Sequence, residues 1–388
     1  MKFNKRFIRN IIICVIAWIV VSLILNYAPG FKRDKFANVP NLIINDEDLT
    51  EELIHNIYVN ENGEAYLSKE DIAKFFDKNI YYDEEYKSII TTSNTKTAII
   101  SLQDSKITIN GVAKNLELKI LQMDDVIYIP ISELNLVYNI NVSYIENHGK
   151  VIFIIDKLNQ GLINAEVIED GTVKFKPRLL SKNVGTIEIG EKVSCYYTTS
   201  KGWRLIRKED GTLGYVKANV LENEYIVRQD MDDEIKTAKI STSLKDGSVL
   251  NLYNNNEIQK ILIKTLFNFE SNGTIAIKEE NVNLDNYLVW ATVSNKGLEK
   301  YTNELIKNYK TRTELIDTMV NLASKYRVRG INIDFQKVND NEDFNRFIIE
   351  LVPRLREIGI TTNVILNDSF NEEKIVGIVD YLITEKEM

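Results

Sequence analysis

Apolar and polar positions alternate with a period of two along Arg329-Gly-Ile-Asn-Ile-Asp-Phe-Gln336. Ile331, Ile333 and Phe335 fall on one side, and Asn332, Asp334 and Gln336 on the other, as successive side chains of a strand do. Upstream, from about Thr311 to Tyr326, the period lengthens to that of a helix, with Leu315, Met319, Leu322 and Tyr326 forming an apolar stripe. Thr311 and Glu314 fit a capping box at its start. Downstream a second helical pattern runs from about Asn341 to Ile358, with Phe344, Phe347, Ile348, Leu351 and Leu355 on one side and Gly359 as the stop. Helix, strand, helix in this order predicts a parallel α/β layer, whose strands are normally covered on both faces. Three amide or carboxyl side chains in a row on one face are out of place there. Two readings account for them: a solvated face on an edge strand, or a barrel strand whose inward residues climb to a site at its C-terminal end.

The rest of the chain divides by pattern. Residues Asn10 to Phe31 carry no charge and have an apolar heart from Ile11 to Leu25, preceded by Lys2, Lys5, Arg6 and Arg9. That heart is about 15 residues, short for a bare span unless its flanks extend it. A cleaved signal peptide is the other reading, but Asn26-Tyr-Ala28 is a poor cleavage site, which favours an uncleaved anchor. The basic flank then predicts a single-pass membrane protein with its N-terminus inside and the bulk of the chain extracytoplasmic. Residues 32–55 are polar, include Pro40, and read as a spacer. Residues 56–156 contain an internal repeat: Ala65-Tyr-Leu-Ser-Lys-Glu-Asp-Ile-Ala-Lys-Phe-Phe76 aligns with Ile127-Tyr-Ile-Pro-Ile-Ser-Glu-Leu-Asn-Leu-Val-Tyr138. Each copy reads strand, short helix, strand, hairpin, strand, with a turn at Asn110-Gly111 between them. Residues 162–222 show short strands at regular spacing with glycine turns, the pattern of a small all-β barrel. Residues 235–388 hold candidate strands at 249–253, 261–267, 287–293, 330–336, 360–365 and 379–383, about six, where a complete eight-fold barrel of about 250 residues would have more. The fold expected is therefore multidomain: an N-terminal transmembrane helix, an α+β repeat domain, a small all-β barrel, and a C-terminal α/β domain like an incomplete barrel.

Composition narrows the chemistry. The chain has 388 residues, 44% of them hydrophobic, and a net charge of −8, which with no basic stripe argues against nucleic acid as a partner. Its two cysteines, Cys14 and Cys195, lie far apart in sequence, and its two histidines, His55 and His148, have no companions at metal-ligand spacing, so no metal and no cofactor is expected.

The strand at 329–336 resembles the signature of glycoside hydrolase family 18, Asp-Gly-x-Asp-x-Asp-x-Glu, and most closely its wall- and spore-associated branch. Val289-Trp-Ala-Thr-Val-Ser-Asn295, Pro353-Arg-Leu-Arg356 and Val379-Asp-Tyr381 are similar to flanking segments of that branch, so the resemblance covers about residues 235 to 388. It implies a TIM-barrel-like fold and N-acetylglucosamine-containing glycans such as peptidoglycan or chitin as partners. It also implies that Gln336 stands where the family keeps its catalytic acid, that Asp334 would orient the acetamido group, and that Asn332 belongs to the same constellation. Trp290 and Asn295 are the implied substrate-binding candidates. A carboxamide has no proton to give, and general acid catalysis contributes on the order of 100- to 10,000-fold. Binding without efficient hydrolysis is the outcome expected. Two alternatives stand beside it: a working hydrolase using another acid such as Glu385 or Glu387, and a scaffold that binds no sugar. The family's Met-x-Tyr-Asp-like segment is absent, and an unclosed sheet would leave an edge for a further element or a protein partner to cover. Residues 56–156 resemble the stalk-type domain named after the copper amine oxidase N-terminal region, common in Gram-positive wall proteins, here without a copper ligand set. Residues 162–222 resemble a bacterial Src-homology-3-like domain, in which Trp203 and Tyr215 would be the binding aromatics.

Overall fold

The computed structural model describes residues 14–20, 39–45, 47–147, 150–157, 162–209, 212–227, 235–254, 257–270, 275–277 and 287–385. The chain is multidomain and mostly β, with a few helices, and it divides into two compact units. One comprises Met1–Ser68 and Asn139–Met231, the other Lys69–Tyr138 and Asp232–Met388.

In the first unit the stretch expected to be a spacer contributes a strand, Asn41–Ile44, every residue of which is buried. It pairs in parallel with Lys150–Lys157, which pairs antiparallel with Ile140–Asn147. The reason is local: Leu42-Ile43-Ile44 is an uninterrupted apolar run amid polar residues, and Leu42 is fully buried. Where a small all-β barrel was expected over residues 162–222, seven strands within residues 162–227 form one sheet. Tyr196, Leu205 and Leu213 of that sheet pack with Ile43, Ile152 and Ile154 of the first. Arg207 reaches the fully buried carboxylate of Asp156 at 2.7 Å. Burial pushes the Asp156 carboxyl up from its ordinary pKa, and Arg207 works against that shift.

Of the expected membrane anchor the structure describes residues 14–20, which are helical; Lys2, Lys5, Arg6 and Arg9 lie outside the described residues. Among the described residues no helix is long and apolar enough to cross a membrane. This corrects the expectation of a single-pass protein, and the extracytoplasmic placement that rested on the anchor goes with it.

The second unit carries the first repeat copy's helix, Lys69–Phe75, and a five-stranded antiparallel sheet spanning residues 81–115. The second copy's counterpart to that helix is a 3-10 turn, Ile131–Leu136, which follows Pro130. The unit's larger part is an eight-stranded, nearly closed, barrel-like sheet: β1 (Ala238–Thr242), β2 (Val249–Asn254), β3 (Glu257–Phe269), β4 (Ile275–Ile277), β5 (Leu288–Ser294), β6 (Gly330–Asp334), β7 (Thr361–Ile365) and β8 (Tyr381–Glu385). Its order is β1-β8-β7-β6-β5-β3-β2, with β4 added beside β3. Strands β3, β5, β6, β7, β8 and β1 pair in parallel, while β2 is the antiparallel arm of a hairpin with β3. The sequence pattern missed β1, because Ala-Lys-Ile-Ser-Thr offers one large apolar residue. β8 is not an edge: Ala238 to Thr242 run level with Tyr381 to Glu385, so β1 and β2 are the two ends of the sheet.

Three helices cover one face: α1 (Glu299–Lys307), α2 (Tyr309–Lys325) and α3 (Asn341–Glu357). Alternation in β6 sends Ile331, Ile333 and Phe335 into this helix-covered core, where they meet Leu315, Met319, Phe344, Phe347 and Leu351. The α2 start differs from the expected capping box. Asn308 caps it, its side chain accepting from the backbone N–H groups of Lys310 and Thr311, while the Thr311 hydroxyl donates back to the Leu305 carbonyl at 2.7 Å. A break at Asn308 lets α1 and α2 be separate helices. Gly359, at φ +73°, ends α3 as expected.

Candidate functional site

The other face of the sheet holds the polar residues that the alternation placed there. Trp290 and Gly330 are level on β5 and β6. A Cβ at Gly330 would overlap the Trp290 indole and the Thr361 hydroxyl, so glycine is needed for the ring to lie flat across the strand. One step toward the C-terminal ends, Thr292, Asn332, Asn363 and Tyr381 form a row across four strands. Asn332 Nδ2 donates to Thr292 Oγ1 at 3.2 Å, and Asn363 Nδ2 donates to Asn332 Oδ1 at 2.8 Å. Both asparagines are fully buried. Asn363 Oδ1 has no hydrogen-bond partner among the described residues, a cost that a charged carboxylate at this depth would make heavier still.

At the next level the cluster reaches half-exposed surface. Ser294 and Asp334 are level on β5 and β6, and the Ser294 hydroxyl donates to Asp334 Oδ2 at 2.8 Å. Gln336 Nε2 donates to Asp334 Oδ1 at 2.5 Å. Both carboxylate oxygens are thus occupied by donors. The backbone of Gln336 is held in turn by buried Asn295, whose Oδ1 accepts from Gln336 N at 2.7 Å and whose Nδ2 donates to Gln336 O at 3.1 Å. Asn303 on α1 fixes the next turn, accepting from Asn339 N and donating to Lys337 O, and Asn367 donates to Phe335 O. Lys337 itself sits at φ +51°, a left-handed conformation that these contacts hold in place. Backbone bonds and the Lys337 ammonium keep the Glu299 carboxyl below its ordinary pKa.

The structure therefore brings together Asp334, Gln336 and Asn295, with Asn332 one layer below. Asn295 meets the backbone of Gln336 rather than open space. Trp290 lies deeper still, 1% exposed, its ring 5.1 Å from that of Tyr381. Trp203 and Tyr215 belong to the other unit, where Trp203 is 4% exposed with the Lys217 ammonium 4.5 Å above its ring, and Tyr215 packs against the Ile43 and Ile152 cluster. Glu385 ends β8, two strands from β6, about 10 Å away at ordinary strand spacing. Glu387 and His148 lie outside the described residues. Among the described residues no group of three or more His, Cys, Asp or Glu side chains is placed to hold a metal. Ser294, Asn303 and Asn367 were not picked out from the sequence. Asn295 and Asn303 could have been paired as amides at one end of a strand and its following helix, a position that pins loops.

Comparison with known proteins gives the following. No curated protein sequence matches the chain. Among solved structures it is similar to the candidate sporulation-specific glycosylase ydhD of Bacillus subtilis, at 20% identity over 35% of this chain and 52% of that one, with a TM-score of 0.30. The spore cortex-lytic enzyme SleL of Bacillus cereus follows at 17% identity, 42% and 43% coverage and a TM-score of 0.30. A chitinase of Chromobacterium violaceum stands at 19% identity, 31% and 45% coverage and a TM-score of 0.27. The chain spans about half the length of these structures or less. Residues 44–153, fewer than half of the chain, match the family model of the copper amine oxidase N-terminal domain.

Proposed function

We propose that this protein binds N-acetylglucosamine-containing glycan, peptidoglycan or a chitin-like chain, at the C-terminal ends of β5 to β7 and does not hydrolyse it efficiently. The pairing of Gln336 with Asp334 carries the reading. The sequence resemblance puts a proton donor at position 336, and the residue there is a carboxamide that spends its N–H on the neighbouring carboxylate. Shape and hydrogen-bonding capacity for a sugar are retained; a transferable proton is not. The pinning of the Gln336 backbone by Asn295 also supports it, since a rigid polar loop loses little entropy on binding.

The test compares the purified full chain with the variant Gln336→Glu. Titration calorimetry with N-acetylated chito-oligosaccharides is expected to show binding by both. Reducing-end release from peptidoglycan or chito-oligosaccharide is expected to be on the order of 100- to 10,000-fold greater for the variant. Turnover by the unmodified chain at an ordinary enzyme's rate, or absence of glycan binding, overturns the proposal.

A further inference from the structure

The hairpin between strands 171–174 and 183–187 of the first unit ends in a loop with two leucines turned to solvent. Leu179 is 72% exposed, and Leu180, at 92%, is the most exposed large hydrophobic residue among the described residues. Single exposed leucines are ordinary; two in succession at a tip, with nothing packed on them, are not. The loop is built rather than slack. Phe175 N donates to Lys182 O at 2.9 Å, Lys176 N to Ser181 Oγ at 2.8 Å, Arg178 N to Lys176 O at 2.7 Å, and Ser181 N to Arg178 O at 3.2 Å. Pro177 stiffens it further. These bonds hold the backbone of the loop while Leu179 and Leu180 face out.

Charge marks the same loop. Lys174, Lys176, Arg178 and Lys182 flank the leucines in sequence, and no acidic residue occurs from Val173 to Ile187, in a chain whose net charge is −8; Lys174 Nζ donates to Asn183 Oδ1 and Lys176 Nζ lies 5.8 Å from the Phe175 ring centre.

We propose that this loop docks on an anionic phospholipid surface, with Leu179 and Leu180 entering the boundary between headgroups and acyl chains and the four cations lying against the phosphates. Basic residues beside protruding apolar ones are the combination that such an interface rewards, and a hydrophilic polyanion would leave the leucines without a partner. The contact is peripheral and requires no spanning helix. It is independent of the glycan site, which lies in the other unit.

The experiment uses the full chain with Cys14→Ser and Leu180→Cys, labelled at position 180 with an environment-sensitive dye; Cys195 is buried and out of the label's reach. Vesicles of phosphatidylcholine with and without phosphatidylglycerol are the probes. Emission is expected to shift to the blue, and to be quenched by lipids carrying quenchers in the acyl region, only when phosphatidylglycerol is present. Replacing any one of the four cations by glutamine is expected to weaken the response about fivefold. Because the dye reports on the loop alone, vesicle attachment through any other segment leaves it unchanged. An unshifted dye on anionic vesicles overturns the proposal, as does an equal shift on phosphatidylcholine alone.

Discussion

Asp334 and Glu350 are carboxylates of the same unit, one at the end of β6 and one on the neighbouring helix α3, and they are held in opposite ways. Glu350 is 2% exposed and faces Arg312, itself 1% exposed, with Arg312 Nε 3.1 and 3.2 Å from its two oxygens. The Tyr81 hydroxyl donates to Glu350 at 2.6 Å and accepts from Arg312 at 2.7 Å, and the Glu350 backbone carbonyl accepts from Thr97 at 2.8 Å. Burial works against the Arg312 charge, but Glu350 and then Tyr81 more than offset it, so its pKa lies above the usual arginine range. Burial, reinforced by Glu350, pushes the Tyr81 phenol well above its ordinary pKa. Asp334 instead has neutral donors, Ser294 and Gln336, and half-exposed surroundings. A buried charge needs an opposite charge and every remaining hydrogen bond, which makes it structural. A half-exposed carboxylate with replaceable neutral partners can exchange them for a ligand's hydroxyl or amide.

The largest effect expected from breaking this contrast is at Arg312. Arg312→Leu leaves Glu350 uncompensated in the interior and is expected to cost about 3–5 kcal/mol in denaturant unfolding. Replacing both partners with methionine should recover most of that loss. If the double replacement is as costly as the single one, the ion pair is not what Glu350 is held by. A smaller effect is expected at Gly330, beneath the Asp334 cluster. Gly330→Ala forces Trp290 or Thr361 aside and should cost about 1–3 kcal/mol by thermal melting. The smallest belongs to Gln336. Gln336→Ala should change stability by no more than about 0.5 kcal/mol, since water can replace the lost donor at a half-exposed site. A cost as large as that of Arg312→Leu would make Gln336 structural and erase the difference between the two carboxylates.

Strands and helices with a strong period were legible from sequence: β6 with its apolar triplet, α3 from Asn341 onward, and the repeat whose copies begin at Ala65 and Ile127. What escaped was set by partners far away along the chain. Arg312 falls three residues before Leu315 and seven before Met319, on the buried stripe of α2, so its position hinted at burial. Nothing in the sequence named Glu350 and Tyr81 as its partners, residues 38 and 231 positions away. The strand β1 is too polar to announce itself and exists because β8 offers it a ladder.

The sequence by itself determined which side of β6 is apolar, where α3 stops, and that position 336 holds an amide. These follow from side-chain chemistry and from periods of two and 3.6 residues, which are local. Tertiary structure alone decided that Asn332 is sealed in an amide row, that Asn295 grips the backbone of Gln336, and that Glu350 is an anchor while Asp334 is open. Each of those depends on which strands and helices become neighbours, and burial and pairing are properties of the neighbourhood rather than of the residue.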